Sequence, residues 1–164
     1  MKTILLSLTI LCLLTGCGYH LGSVPPAGVT SVYIPMFENL THKEEITADV
    51  TEGIIKRFKT DGTIKITDKE NADAILIGKI VDYKTEAVLF NDQDVGEEFR
   101  VVITVDVSLV TISDKKTVSS GSGLRGQATT QIVVNQIEAE KRILPDIIKN
   151  LSKKVVEVII ESAW

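Results

Sequence analysis

The chain has 164 residues, with 18 Lys and Arg against 22 Asp and Glu for a formal charge of −4, and 44% of its residues are apolar. An acidic balance of this kind gives no electrostatic footprint for nucleic acid and no general pull toward an anionic membrane surface. The length suits one domain able to bury its own core. With 2 cysteines, one of them inside an N-terminal leader, no internal disulfide is available, so that core has to hold the fold.

Residues 1–16 carry Lys2, then Ile4, Leu5, Leu6, Leu8, Ile10, Leu11, Leu13 and Leu14, contain no acid, and end in Thr15-Gly16. This is the pattern of a secretory signal peptide, and it is too short for a membrane-spanning helix. Leu14-Thr15-Gly16-Cys17 resembles the bacterial lipobox, in which the thiol is acylated, the leader is cut before it, and the new amine is acylated in turn. Cys17 is therefore the expected lipidation site, as an S-diacylglycerol and N-palmitoyl cysteine. Ordinary cleavage leaving a free or disulfide-bonded thiol is the bland alternative, but Cys12 departs with the leader and no partner remains. Loss of Lys2 leaves 17 basic and 22 acidic residues, a formal charge of −5. Residues 17–28 then form a lipid-anchored tether containing Pro25-Pro26, with a reach of at most about 40 Å. Residues 29–164 are expected to form a single domain held close to its membrane.

In "VTSVYIP" β-formers alternate from Val29 to Ile34 and stop at Pro35, which predicts a first strand. Ile46, Val50, Ile54 and Phe58 recur at helical spacing between Glu44 and Lys59, ending at Asp61-Gly62. "TIKIT" gives a short strand, and strand, helix, strand implies a crossover with parallel neighbours. Ala74 to Phe90 reads as one long hairpin strand, followed by the acidic loop "NDQDVGEE". Next, Phe99, Val101, Ile103, Val105, Val107 and Leu109 define one apolar face; Arg100, Val102, Thr104, Asp106, Ser108 and Val110 define a half-polar one. After a turn at Asp114-Lys115-Lys116, a weaker strand runs from Val118 toward Thr129, with glycines that suggest bulges or an edge. From Asn135 to Ser162 a long amphipathic helix places Ile137, Leu144, Ile147, Ile148, Leu151, Val155, Val158 and Ile159 in one stripe, bent or broken near Pro145. The fold class is α+β: a two-layer α/β sandwich with a mixed four- to five-stranded sheet, two helices on one face, and the other face uncovered.

The chemical motifs are weak. Gly121-Ser122-Gly123-Leu124-Arg125-Gly126 matches a dinucleotide fingerprint by letter, yet it opens no helix, so edge-strand flexibility is the better reading. Asp92, Asp94, Glu97 and Glu98 lack calcium-loop spacing: Gly96 comes one position early, and Ile103 stands where the closing glutamate belongs. They read as a solvated hairpin tip that could still share a divalent ion with a ligand. His20 and His42 have no metal-ligand spacing. No nucleophile elbow occurs, and neither cofactor nor metal is expected. The residues make no case for an enzyme.

"CGYHL" at the lipobox, "IPMFENLT" at residues 34–41, "ADAILIGKI" at 72–80, "EFRVVITVDVSLV" at 98–110 and a closing apolar helix ending in Trp164 together resemble the LPS-assembly lipoprotein family LptE. The resemblance implies a lipid-anchored protein on the periplasmic side of the outer membrane. It would plug the β-barrel translocon LptD, assist its assembly and help deliver lipopolysaccharide to the outer leaflet. Gly18 after Cys17, in place of the aspartate associated in some bacteria with inner-membrane retention, favours the outer membrane. Family members are thought to meet the anionic lipid through basic residues, one of them just after the phenylalanine that ends the strand before the acidic loop. Here Phe90 is followed by Asn91 and then by acids, so Lys84, Arg100 and Arg125 are the substitute lipopolysaccharide-binding residues; ordinary solvated cations are their bland reading. The rival function is a regulatory or scaffold lipoprotein activating a cell-envelope enzyme, which needs a longer spacer than "GYHLGSVPPAG". A small-molecule-binding or hydrolytic domain needs a convergent polar cluster that the sequence does not show.

Overall fold

The computed structural model describes residues 28–90, 96–131 and 135–161. The leader, the lipobox with Cys17, the tether with His20, and Asp92 and Asp94 of the acidic loop lie outside the described residues. In chain order the elements are β1 (Ser31–Tyr33), β2 (Glu38–Asn39), α1 (Ile46–Asp61), β3 (Lys65–Ile66), a single 3-10 turn (Lys69–Asn71), β4 (Ala74–Phe90), β5 (Gly96–Thr111), β6 (Thr117–Gln131) and α2 (Gln136–Glu161).

The sheet order is β3-β1-β4-β5-β6, and the two-residue β2 pairs with β4 beside this path. β1 is parallel to both β3 and β4, as the crossover through α1 requires; β4, β5 and β6 form an antiparallel meander. β1 and β2 lie in succession along the same strand, since Val32 faces Ala74 and Glu38 faces Lys79.

Alternation in β5 separates the faces. Val101, Ile103, Val105, Val107 and Leu109 are all buried, and they meet Ile54 and Phe58 of α1 and Ile147, Leu151, Val155 and Ile159 of α2 in one core cluster. Both helices thus cover the same side of the sheet, giving the expected α+β two-layer sandwich. α1 ends where Gly62, at φ 77, donates its N–H to the Phe58 carbonyl at 3.0 Å, a left-handed stop that suits glycine. α2 starts at Asn135, whose side-chain oxygen accepts the Glu138 N–H at 2.9 Å, and it runs unbroken through Pro145.

One expectation for α2 is corrected. Ile137 is 65% exposed, Leu144 and Val158 are only partly buried, and the buried stripe begins instead at Ala139 and Ile143. The cause is polar: in its first turns the helix turns Glu140 toward the sheet, where Tyr83 and Thr85 receive it.

The dinucleotide-like glycines have structural duties. Val105 faces Leu124 and Val107 faces Gly121, so Ser122 and Gly123 bulge opposite Asp106, and Gly123, at φ 64, donates its N–H to that carboxylate at 2.7 Å. A Cβ on Gly126 would sit 2.5 Å from the Ile147 carbonyl oxygen and 2.6 Å from the Leu151 Cβ. The last glycine is therefore a contact point for α2 and opens no helix.

Asp73 ties β1 to the start of β4. Its Oδ2 accepts from the Thr30 hydroxyl at 2.7 Å, the Ser31 hydroxyl at 2.8 Å and the amides of Thr30 and Ser31 at 3.0 and 2.9 Å. Those bonds, the Thr30 hydroxyl foremost, lower its pKa from 3.8 to about 2. A depressed carboxylate contributes stability above its unfolded value and loses it as pH falls through its folded value. Urea midpoints are expected to drop between pH 3.8 and about 2, and Asp73→Asn to flatten that part of the profile.

Candidate functional site

The sheet face opposite the helices is where the residues singled out from sequence emerge. Register places Asp82, Lys84 and Glu86 of β4 across from Thr104, Val102 and Arg100 of β5, which in turn face Arg125, Gln127 and Thr129 of β6. Alternation puts all of them on the side away from Val101 and Ile103, and no described element covers it. Lys84, Arg100 and Arg125 therefore share one face, spread over about 10 Å across the strands at ordinary strand spacing. Lys84 is held by Asp82 at 2.9 Å, and Arg100 lies across from Glu86. Arg125 is exposed; its backbone carbonyl accepts the Lys154 ammonium at 2.8 Å, an anchor between α2 and β6.

The rest of this face is mixed. Lys79 pairs with Glu38 at 2.8 Å, and Ser108 faces Ser120. Toward β1 the face becomes apolar, with Tyr33 beside Ile75, Ile75 beside Val110, and Ile77 exposed. Such a surface can meet a partner that is itself polar with apolar stretches, and its cations can donate charge-assisted hydrogen bonds to phosphate or carboxylate oxygens.

The inner face holds a polar cluster that sequence reasoning missed. Glu140 accepts from the Tyr83 hydroxyl at 2.8 Å, the Thr85 hydroxyl at 3.2 Å and the Gln136 amide at 2.9 Å, and the Lys43 ammonium lies 3.4 Å away. Lys43 also sits 5.4 Å from the Tyr83 ring centroid, within cation–π range. Burial raises the Glu140 carboxyl, but the bonds from Gln136 and Tyr83 and the charge of Lys43 outweigh it, so its pKa is lowered. The Tyr83 phenol is pushed well up, by burial first and then by Glu140. The cluster clamps the start of α2 and the segment ahead of α1 to mid-β4. Glu140 is only 12% exposed, so Glu140→Ala, which strands the Tyr83 hydroxyl, is expected to cost about 1–3 kcal/mol in denaturant unfolding. A double change with Tyr83→Phe should cost less than the sum of the two. The available signal was a glutamate one position from Ala139 in a stripe whose phase the sequence reading set by Ile137.

Cys17 is outside the described residues, as are Asp92 and Asp94. Among the described residues, no three His, Cys, Asp or Glu side chains approach closely enough to hold a metal ion. No helix of the described residues is long and apolar enough to cross a membrane.

A family model described as LptE, lipopolysaccharide-assembly, matches residues 29–158. No curated protein matches the chain. Among solved structures, the uncharacterized lipoprotein B from Nitrosomonas europaea is similar at 17% identity and TM-score 0.56, over 86% of this chain and 87% of that one. A PelC dodecamer from Paraburkholderia phytofirmans is similar at 15% identity and TM-score 0.54, over 84% and 93%. The rare lipoprotein B from Shewanella oneidensis shares 7% identity at TM-score 0.52, over 80% and 95%. At such identities these likenesses establish the sandwich fold, while the family match covers most of the chain. The chain belongs to the LptE lipopolysaccharide-assembly family, which is non-enzymatic.

Proposed function

We propose that the protein is an outer-membrane lipoprotein, anchored through acylated Cys17, that sits on the periplasmic side within the lumen of the LptD β-barrel. There it assists assembly of the barrel and helps deliver lipopolysaccharide to the outer leaflet. The observation that carries this reading beyond family membership is the uncovered, half-polar sheet face. Barrel lumens in the outer membrane are polar, and a face mixing ion pairs, hydroxyls and a few exposed aliphatics suits such a lining better than it suits lipid. Two of the similar structures are named lipoproteins, in keeping with an envelope location. The short tether from Cys17 to Gly28 would keep the body against the bilayer.

Lipopolysaccharide contact is assigned to Arg100 and Arg125, with Lys84 in a lesser role because Asp82 already engages its ammonium. Phosphate is met by charge-assisted donors, and arginine presents them in a fixed fork. Arg100→Glu with Arg125→Glu is expected to weaken lipopolysaccharide binding by about tenfold or more, the scale of one lost charge-assisted bond. Binding unchanged in that variant, with its thermal melt intact, would remove the assignment while leaving the barrel partnership standing.

A further inference from the structure

On the opposite side, the two helices run in the same direction: Lys43, just ahead of α1, meets Glu140, and further along both helices Gly53 lies against Ile148. Between them runs a surface groove of about 1140 Å³. Its floor is apolar, with Gly53, Leu144 and Ile148. Glycine at 53 lets the Ile148 side chain of α2 pack directly on the α1 backbone, because a Cβ there would overlap it, so the floor is closed where the two helices touch. Along the α1 wall the charge changes sign: Glu45, Asp49 and Glu52 line the first half, and Lys56, Arg57 and Lys59 the second, with Lys141 and Lys149 on the α2 wall.

The second half of the groove holds an unsatisfied donor. The Arg57 Nε is buried and has no hydrogen-bond partner among the described residues. Buried donors left in this way are rare in native proteins and are met by ordered water or by a bound group. Lys56 and Lys149 line the same groove, and their charge with that of Arg57 favours an anionic group there. A free anion would leave the apolar floor in water, and an uncharged chain would leave Arg57 unmatched. An anionic amphiphile answers both.

We propose that this groove binds a phospholipid, with its phosphate on Arg57, Lys56 and Lys149 and one acyl chain laid over Gly53, Ile148 and Leu144. The bilayer that holds the proposed lipid anchor would supply it, so the source of the lipid rests on that reading, while the seat itself lies on the face away from Lys84, Arg100 and Arg125.

The test is calorimetric titration of the full mature chain, carrying Cys17→Ser so that its own acyl chains are absent, with short-chain dihexanoyl-phosphatidylglycerol, with inorganic phosphate and with an acidic amphipathic peptide. The lipid should bind saturably at one per chain, and about tenfold or more tighter than phosphate alone. Arg57→Gln with Lys149→Gln should weaken it about tenfold while leaving the thermal melt in place, and Leu144→Gln should weaken it without touching any cation. The absence of saturable lipid binding, equal binding of phosphate and lipid, tighter binding of the peptide, or indifference to these variants would each overturn the proposal.

Discussion

Replacing Gly126 with valine is expected to cost about 3 kcal/mol or more, the upper end of what overpacking a core does. The added Cβ would stand 2.5 Å from a backbone oxygen, that of Ile147, and 2.6 Å from the Leu151 Cβ, so no rotamer of a neighbour relieves it. α2 would have to lift from β6, loosening Ile147 and Leu151, both fully buried. Gly121 gives the comparison within the same motif. Its Cβ would meet the Cγ1 of partly buried Val158 at 2.7 Å, the end of a side chain, and Gly121→Ala should therefore cost distinctly less. Urea unfolding of both variants checks the ranking; equal, small losses would mean that α2 does not rest on this strand as described.

Those glycines also mark how far the sequence could be read. Period-two alternation in β5 announced its buried face from Val101 to Leu109, with Phe99 at its start only partly buried, because one side of that strand is core and the other meets no described element. The four-residue spacing from Ile46 to Phe58 placed α1 for the same reason. The alternation fails in β6, where Gly121 and Gly126 are set by the approach of α2 rather than by any local preference, so the motif reads from sequence only as a loose edge. It fails again at the start of α2, where Glu140 faces inward. A buried carboxylate is tolerated there only because Tyr83, Thr85, Gln136 and Lys43 converge on it, and these come from three separate stretches of chain. The shared face of Lys84, Arg100 and Arg125 was half legible: the parity of Arg100 follows from β5, whereas those of Lys84 and Arg125 depend on register across bulges.

A second large effect is expected at Cys17. On the proposed anchoring, Cys17→Ser would remove the acylated sulfur and with it every acyl chain, because amine acylation follows thiol acylation and leader cleavage. A single chain holds a protein to a bilayer only marginally, and several hold it lastingly, so the change should move the protein almost wholly from the membrane to the soluble fraction. Circular dichroism should be unchanged, because the described residues from Val29 onward form a core cluster of their own. A membrane-bound Cys17→Ser protein would contradict the lipid anchor; a soluble wild-type protein with an unmodified thiol in the mass spectrum of its N-terminal peptide would do so as well.

The reading of the protein as a barrel partner is tested most directly by purifying the native chain from detergent-extracted membranes and asking what stays with it. A heat-modifiable β-barrel is expected in stable one-to-one association, dissociating only on denaturation. Recovery of the chain without a barrel, or with a cell-wall enzyme in its place, would contradict the proposed role.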